Sequence, residues 1–77
     1  MKKLDNNECL CHFGEFIRTE RERRELTQAE VAQMVGLHQT YYGKIELGKR
    51  EVDLFKAIAI CEALGLDLSD FIKAYAK

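Results

Sequence analysis

Seventy-seven residues make one small domain and cannot be divided into two, and a chain of this size buries only about 60% of the surface it exposes unfolded. Hydrophobic residues form 47% of it and no proline interrupts a helix. No apolar run approaches the ~20 residues of a membrane span and no signal-peptide pattern leads the chain, so a cytoplasmic protein with no membrane association is expected. The net charge of −1 offers no bulk attraction to a polyanion, which makes the distribution of charge more informative than its sum. Residues 26–50 carry Lys44, Lys49 and Arg50 against Glu30 and Glu46, net +1. Residues 51–77 carry Lys56, Lys73 and Lys77 against Glu51, Asp53, Glu62, Asp67 and Asp70, net −2. Positive charge is therefore expected at one end of the domain.

Residues 1–8 are polar and aperiodic, which predicts a flexible arm, with Asn6 or Asn7 placed to cap a helix beginning near its end. From Cys9 to Arg24, Leu10, Phe13, Ile17, Arg21 and Arg24 recur at helical spacing with Phe16 beside them, and a first helix is expected there. Its end, RTERERRE, reads as a solvated face laced with i,i+3 and i,i+4 pairs; phosphate contact by Arg18 or Arg23 is the competing reading. Arg21 stands apart because it lies on the apolar stripe, where a charge needs a partner. Cys9, Cys11 and His12 form a C-x-C-H cluster, but the spacing suits one helix-borne site poorly and no second Cys/His pair follows, so no metal is expected. Three cysteines, an odd number, argue against a disulfide framework, and Cys61 reads as a small core residue.

The stretch from Leu26 to Arg50, LTQAEVAQMVGLHQTYYGKIELGKR, organises the chain. Thr27 and Glu30 form a capping box, and Leu26 with Val31 forms a hydrophobic staple. Ala29, Ala32 and Val35 are small enough for a second helix to approach closely. Gly36 supplies the positive φ that closes a helix, and Leu37 turns the chain inward. In the next helix Leu37, Tyr42 and Ile45 face the core, while Gln39, Thr40, Gly43 and Lys44 share the other face. Any soluble helix has a polar outer face. The order of cap, glycine turn, polar face, glycine and Lys49-Arg50 says more, because it is the layout of a helix-turn-helix DNA-binding unit. An amide near a helix start can match an adenine edge, and a lysine a guanine edge or a phosphate.

Asp53 is placed to cap a fourth helix over Leu54 to Leu64, closed by Gly65. Asp67, with Asp70 three positions on and Phe71 completing a staple to Leu66, opens a fifth helix from Leu68 to about Ala76. The expected fold is all-α: a compact five-helix domain over 9–77 with no strands. Phe55, Ile58, Ile72 and Tyr75 exceed what its core requires. Scattered surface apolars are common, but a patch on helices four and five that closes a twofold dimer fits them better.

Leu26, Thr27, Gln28, Ala32, Gly36, Leu37, Ile45, Glu46, Gly48, Lys49 and Arg50 resemble the helix-turn-helix of the Cro and lambda-repressor-like family. Its members read roughly L-T-Q-x-x-L-A-x-x-x-G-[LIV]-S-x-x-x-[IV]-S-x-[IL]-E-x-G-K-R, and the resemblance covers Phe13 to Ile72. His38 stands where the family prefers a capping serine, Tyr42 where it prefers Ile or Val, and Gly43 where it prefers serine. Glu25 replaces a frequent glycine, which would lengthen the first helix. The resemblance implies a bacterial or phage transcriptional regulator, a repressor or controller, that binds a pseudo-palindromic operator in double-stranded DNA as a homodimer. It implies that Gln39 leads base reading with Thr40 and Lys44 beside it. Gln28 would contact phosphate and brace Gln39, with Tyr41, Lys49 and Arg50 as further phosphate contacts.

His38 would cap its helix through the backbone alone or touch a phosphate, and Gly43 would open space in the groove or simply weaken the helix. The family's pairing of Arg21 with Glu46 would clamp helix one to helix three. Restriction–modification controllers, prophage regulators and antitoxins all fit. The alternative is a protein-interaction module of the same fold, such as an antitoxin devoted to a partner protein, although the retained polar face speaks against it. With two histidines, no glycine-rich phosphate loop and no nucleophile–base pattern, neither an enzyme nor a cofactor is expected.

Overall fold

Asp5 starts the first helix, its carboxylate accepting a hydrogen bond from the Glu8 amide at 3.1 Å. The computed structural model describes residues 5–75 and shows over them five helices and no strand: α1 (Asn6–Arg23), α2 (Gln28–Val35), α3 (Gln39–Glu46), α4 (Leu54–Ala63) and α5 (Leu68–Tyr75). The expected all-α architecture is what the chain adopts, and none of these helices is long and apolar enough to cross a membrane. The arm expected over 1–8 is corrected from Asn6 onward, because a carboxylate one residue earlier than Asn6 takes the cap and draws Asn6, Asn7 and Glu8 into the helix. Met1 to Leu4, the rest of that arm, lie outside the described residues, as do Ala76 and Lys77.

Nor does Glu25 lengthen α1. It adopts a left-handed φ of 57° and closes the helix, with the Leu26 amide donating to the Arg21 carbonyl at 3.1 Å and the Glu25 amide to Glu22 at 3.0 Å. A turn that glycine normally supplies is thus imposed on a glutamate. The remaining caps follow the sequence. Thr27 and Glu30 complete a reciprocal capping box, and Gly36 closes α2 at φ 72°. Asp53 accepts from the Lys56 amide at 2.9 Å, and Asp67 from the Ser69 amide at 2.9 Å.

The core draws on four helices: Phe13 and Ile17 of α1, Val31 and Ala32 of α2, Tyr42 and Ile45 of α3, and Ala57, Ile60 and Cys61 of α4 with Leu64 behind them. Burial pushes the Cys61 thiol up to about 11, so it is inert packing. Ala32 lies at the α2 contact as expected, but Ala29 faces solvent and eases no approach. The closest approach is made instead by Gly14, buried in α1, where a Cβ would lie 2.2 Å from the Glu46 carbonyl oxygen. α1 and α3 therefore meet backbone to backbone. α5 buries no residue completely and attaches by its aromatics. Phe71 meets Phe13 edge-on at 5.4 Å and Phe16 at 5.5 Å, and Tyr75 stacks on Phe71 at 5.9 Å.

Candidate nucleic-acid interface

The surface of α3 is set by what happens to the acids around it. Glu30 turns back to accept the Thr27 amide at 2.8 Å, which holds its carboxyl below the ordinary value. Glu46 is withdrawn altogether, its side chain 1% exposed against an Arg21 side chain 12% exposed. Arg21 grips it with two parallel bonds, Nε to Oε2 at 2.6 Å and a terminal nitrogen to Oε1 at 3.0 Å, and spends its other terminal nitrogen on the Leu26 carbonyl at 2.9 Å. Burial raises the Glu46 carboxyl, but the bonds from Arg21 and Gln28 outweigh it, and the group ends below 4.5. The expected clamp between α1 and α3 is present in the structure. The nearby Tyr42 hydroxyl does not reach hydrogen-bond geometry with Glu46 and is the one buried side-chain oxygen or nitrogen among the described residues without a partner. Burial, with that carboxylate close by, holds its phenol protonated.

With Glu46 withdrawn and Glu30 turned to its own cap, α3 presents Gln39, Thr40 and Lys44 to solvent, and Lys49 and Arg50 follow, also exposed. The cap expected from the His38 backbone alone is corrected: its Nδ1 accepts from the Thr40 amide at 3.2 Å, so the imidazole caps α3 through its side chain. Gly48, at φ 74°, closes α3, and a Cβ there would stand 2.7 Å from the Cys11 sulfur. The turn that launches Lys49 and Arg50 is thus braced on α1.

Three expected residues occupy places the spacing did not indicate. Tyr41 sends its hydroxyl to the Glu51 carbonyl at 3.2 Å and carries the Arg50 guanidinium over its ring at 5.2 Å, so it orders a cation. Gln28 points inward, its Nε2 donating to Glu46 Oε1 at 3.0 Å. Gly43 faces α2, and a Cβ there would lie 3.1 Å from the Gln28 Oε1. In the RTERERRE run, Glu20 accepts from Arg23 and Arg24, and these guanidinium groups hold its carboxyl at about 2. Among the described residues no three His, Cys, Asp or Glu side chains gather as metal ligands. His12 instead lies 3.7 Å from Glu8 and meets the Tyr75 ring edge-on at 5.5 Å.

A helix-turn-helix family model matches residues 17–71, most of the chain and all of this surface. The chain belongs to the Cro/C1-type helix-turn-helix family. It is a DNA-binding transcriptional regulator. Control protein C.MunI of Mycoplasma sp is 35% identical over 72 residues, 92% of this chain and 97% of that protein. Control protein C.SmaI of Serratia marcescens is 38% identical over 52 residues, 68% of this chain and 62% of that protein. Among solved structures, the restriction-modification controller protein C.AhdI from Aeromonas hydrophila superposes with a TM-score of 0.76 at 31% identity, over 80% of this chain and 94% of that one. The clp gene regulator ClgR from C. glutamicum, at 24% identity, shares the fold with a TM-score of 0.80 over 97% of this chain and 92% of its own.

In this regulator the apolar residues set aside for a dimer divide. Phe55 is 80% exposed, Ile72 57% and Ile58 38%, whereas Tyr75 is half-buried against Phe71 and His12, with its hydroxyl 3.4 Å from the Asp5 carbonyl. Tyr75 therefore ties α5 to α1 within the chain.

Proposed function

We propose that this regulator is a controller of the restriction–modification kind, binding a pseudo-palindromic operator as a homodimer with one α3 in each major-groove half-site. The observation that carries the reading is the outward face of α3, polar and cationic because Glu46, the one acid of α3, is buried against Arg21. Gln39 is the leading base reader, with Thr40 and Lys44 beside it. Lys49 and the Tyr41-ordered Arg50 hold phosphates, and the exposed His38 is a further contact to one. The relatives named as control proteins favour a controller over a prophage regulator or antitoxin. Exposed Phe55, Ile58 and Ile72 support pairing through α4 and α5, and the single modest patch of cations calls for a second half-site.

Replacing Gln39 with alanine tests the reading. Affinity for a duplex selected from a random library should fall by about 1–3 kcal/mol, while random-duplex binding stays near wild type. Equal loss on both would remove Gln39 from base reading. A protein-interaction module is the second reading, favoured by the groove of about 480 Å³ between α1 and α5, floored by Phe16, Phe71 and Tyr75. Such a module would bind no duplex even at low salt, whereas a phosphate binder weakens steeply as salt rises.

A further inference from the structure

Gln28 and Gly43 meet across the contact between α2 and α3, one helical turn along from Gln39 on the same side of α3. The Gln28 amide has its nitrogen on Glu46, 3.0 Å away, and its oxygen turned to Gly43, where an added Cβ would stand 3.1 Å off. At that separation a side chain at position 43 requires the amide, held on Glu46, to give by a few tenths of an ångström. Glycine is a poor choice inside a helix of eight residues, so its presence there needs an offsetting gain. Room for the amide is that gain. Glu46 thereby takes hydrogen bonds from two preceding helices at once, from Arg21 at the end of α1 and from Gln28 at the start of α2. A helix held at one carboxylate from two directions cannot roll about its axis without breaking a buried bond. Base reading is sensitive to such a roll, since recognition groups must be held to about 0.5 Å.

We infer that Gln28 is a positioning residue for base reading rather than a phosphate ligand: admitted by Gly43 and bound to Glu46, it sets the roll of α3 against α2. The inference rests on α3 being the DNA-reading helix. A cycle of Gln28→Ala, Gly43→Ala and the double variant tests it, using the library-selected duplex, a random duplex and thermal melts. Each single variant should lose about tenfold in affinity for the selected duplex, within the range for contacting residues, and the double should lose no more. Random-duplex affinity should stay at its wild-type value. Equal loss on both duplexes would make Gln28 a phosphate ligand and overturn the inference, because a phosphate contact supports every duplex alike. In the melts, Gly43→Ala should raise Tm more in the Gln28→Ala background than in the wild type; equal shifts would show that the two residues are not coupled and overturn it without reference to DNA. Wild-type protein that binds no duplex at low salt would refute the DNA reading itself, and the melts would still decide the coupling.

Discussion

At the α2–α3 end of the domain, the charged and amide groups that point inward are matched. Arg21 is spent on Glu46 and a carbonyl, Gln28 on Glu46, and Glu30 on its own cap. At the α4–α5 end more apolar groups are left over: Leu54, Phe55, Ile58 and Ile72 face solvent, against Met34 and Leu47 at the first end, and α5 buries no residue. On the proposed function the first region is the one that must be rigid before DNA arrives, and the second is the one that pairs with another chain. Rigidity and assembly would then fall at opposite ends, so that each can be broken without the other.

Breaking the rigid end has the largest expected effect. Arg21→Ala should destabilise the domain by about 3–5 kcal/mol, because it strands a nearly inaccessible carboxylate. A melt within error of wild type would show that the clamp contributes nothing. The same variant should invert part of the acid response. In the wild type the Glu46 carboxyl is depressed, so the unfolded chain binds the extra proton, and stability is held above about 4.5 and lost as pH falls through the folded value. Without Arg21 burial dominates, the carboxyl rises, and the variant should gain stability relative to wild type on acidification.

Breaking the other end should leave that stability alone. Ile72→Lys places like charges across a twofold contact, which costs several kcal/mol, so self-association should weaken at least ~100-fold. The helical spectrum and random-duplex contact per chain should remain. Sedimentation in the micromolar range reads the result, and wild-type protein that is already monomeric would remove the patch from the dimer.

These two ends were also legible to different degrees. Capping residues are read from neighbours in sequence, so Thr27 with Glu30, Gly36 and Asp53 were expected and found. Arg21 was legible because a charge on an apolar stripe announces a missing partner. Contacts set by the angle between helices were not: Gly14 carried a signal, a glycine inside a periodic helix, but nothing in the spacing said that its missing Cβ faces the Glu46 carbonyl. The Gln28–Gly43 contact was hidden for the same reason, and helical geometry alone put Gly43 on the outer face. Tyr75 counted as surplus because the sequence does not show that Phe71 and His12 will receive it. Nothing in the sequence ranks Asp5 above Asn6 and Asn7, all of them good caps one or two positions apart.

Glu25 sharpens the comparison with the smallest effect. Its left-handed φ of 57° is a strain at the entrance to the rigid region, and Glu25→Gly should relieve it, raising stability by about 1 kcal/mol without changing DNA binding. A lower Tm would mean that the glutamate side chain contributes more than its backbone costs.

Selection of bound duplexes from a random library by the wild-type protein examines both ends at once. A rigid α3 on each of two paired chains should enrich a pseudo-palindrome whose half-sites are centred one DNA turn apart, roughly 34 Å. Enrichment of a single unpaired half-site, or of no sequence above the background, would contradict the division of labour between the two ends.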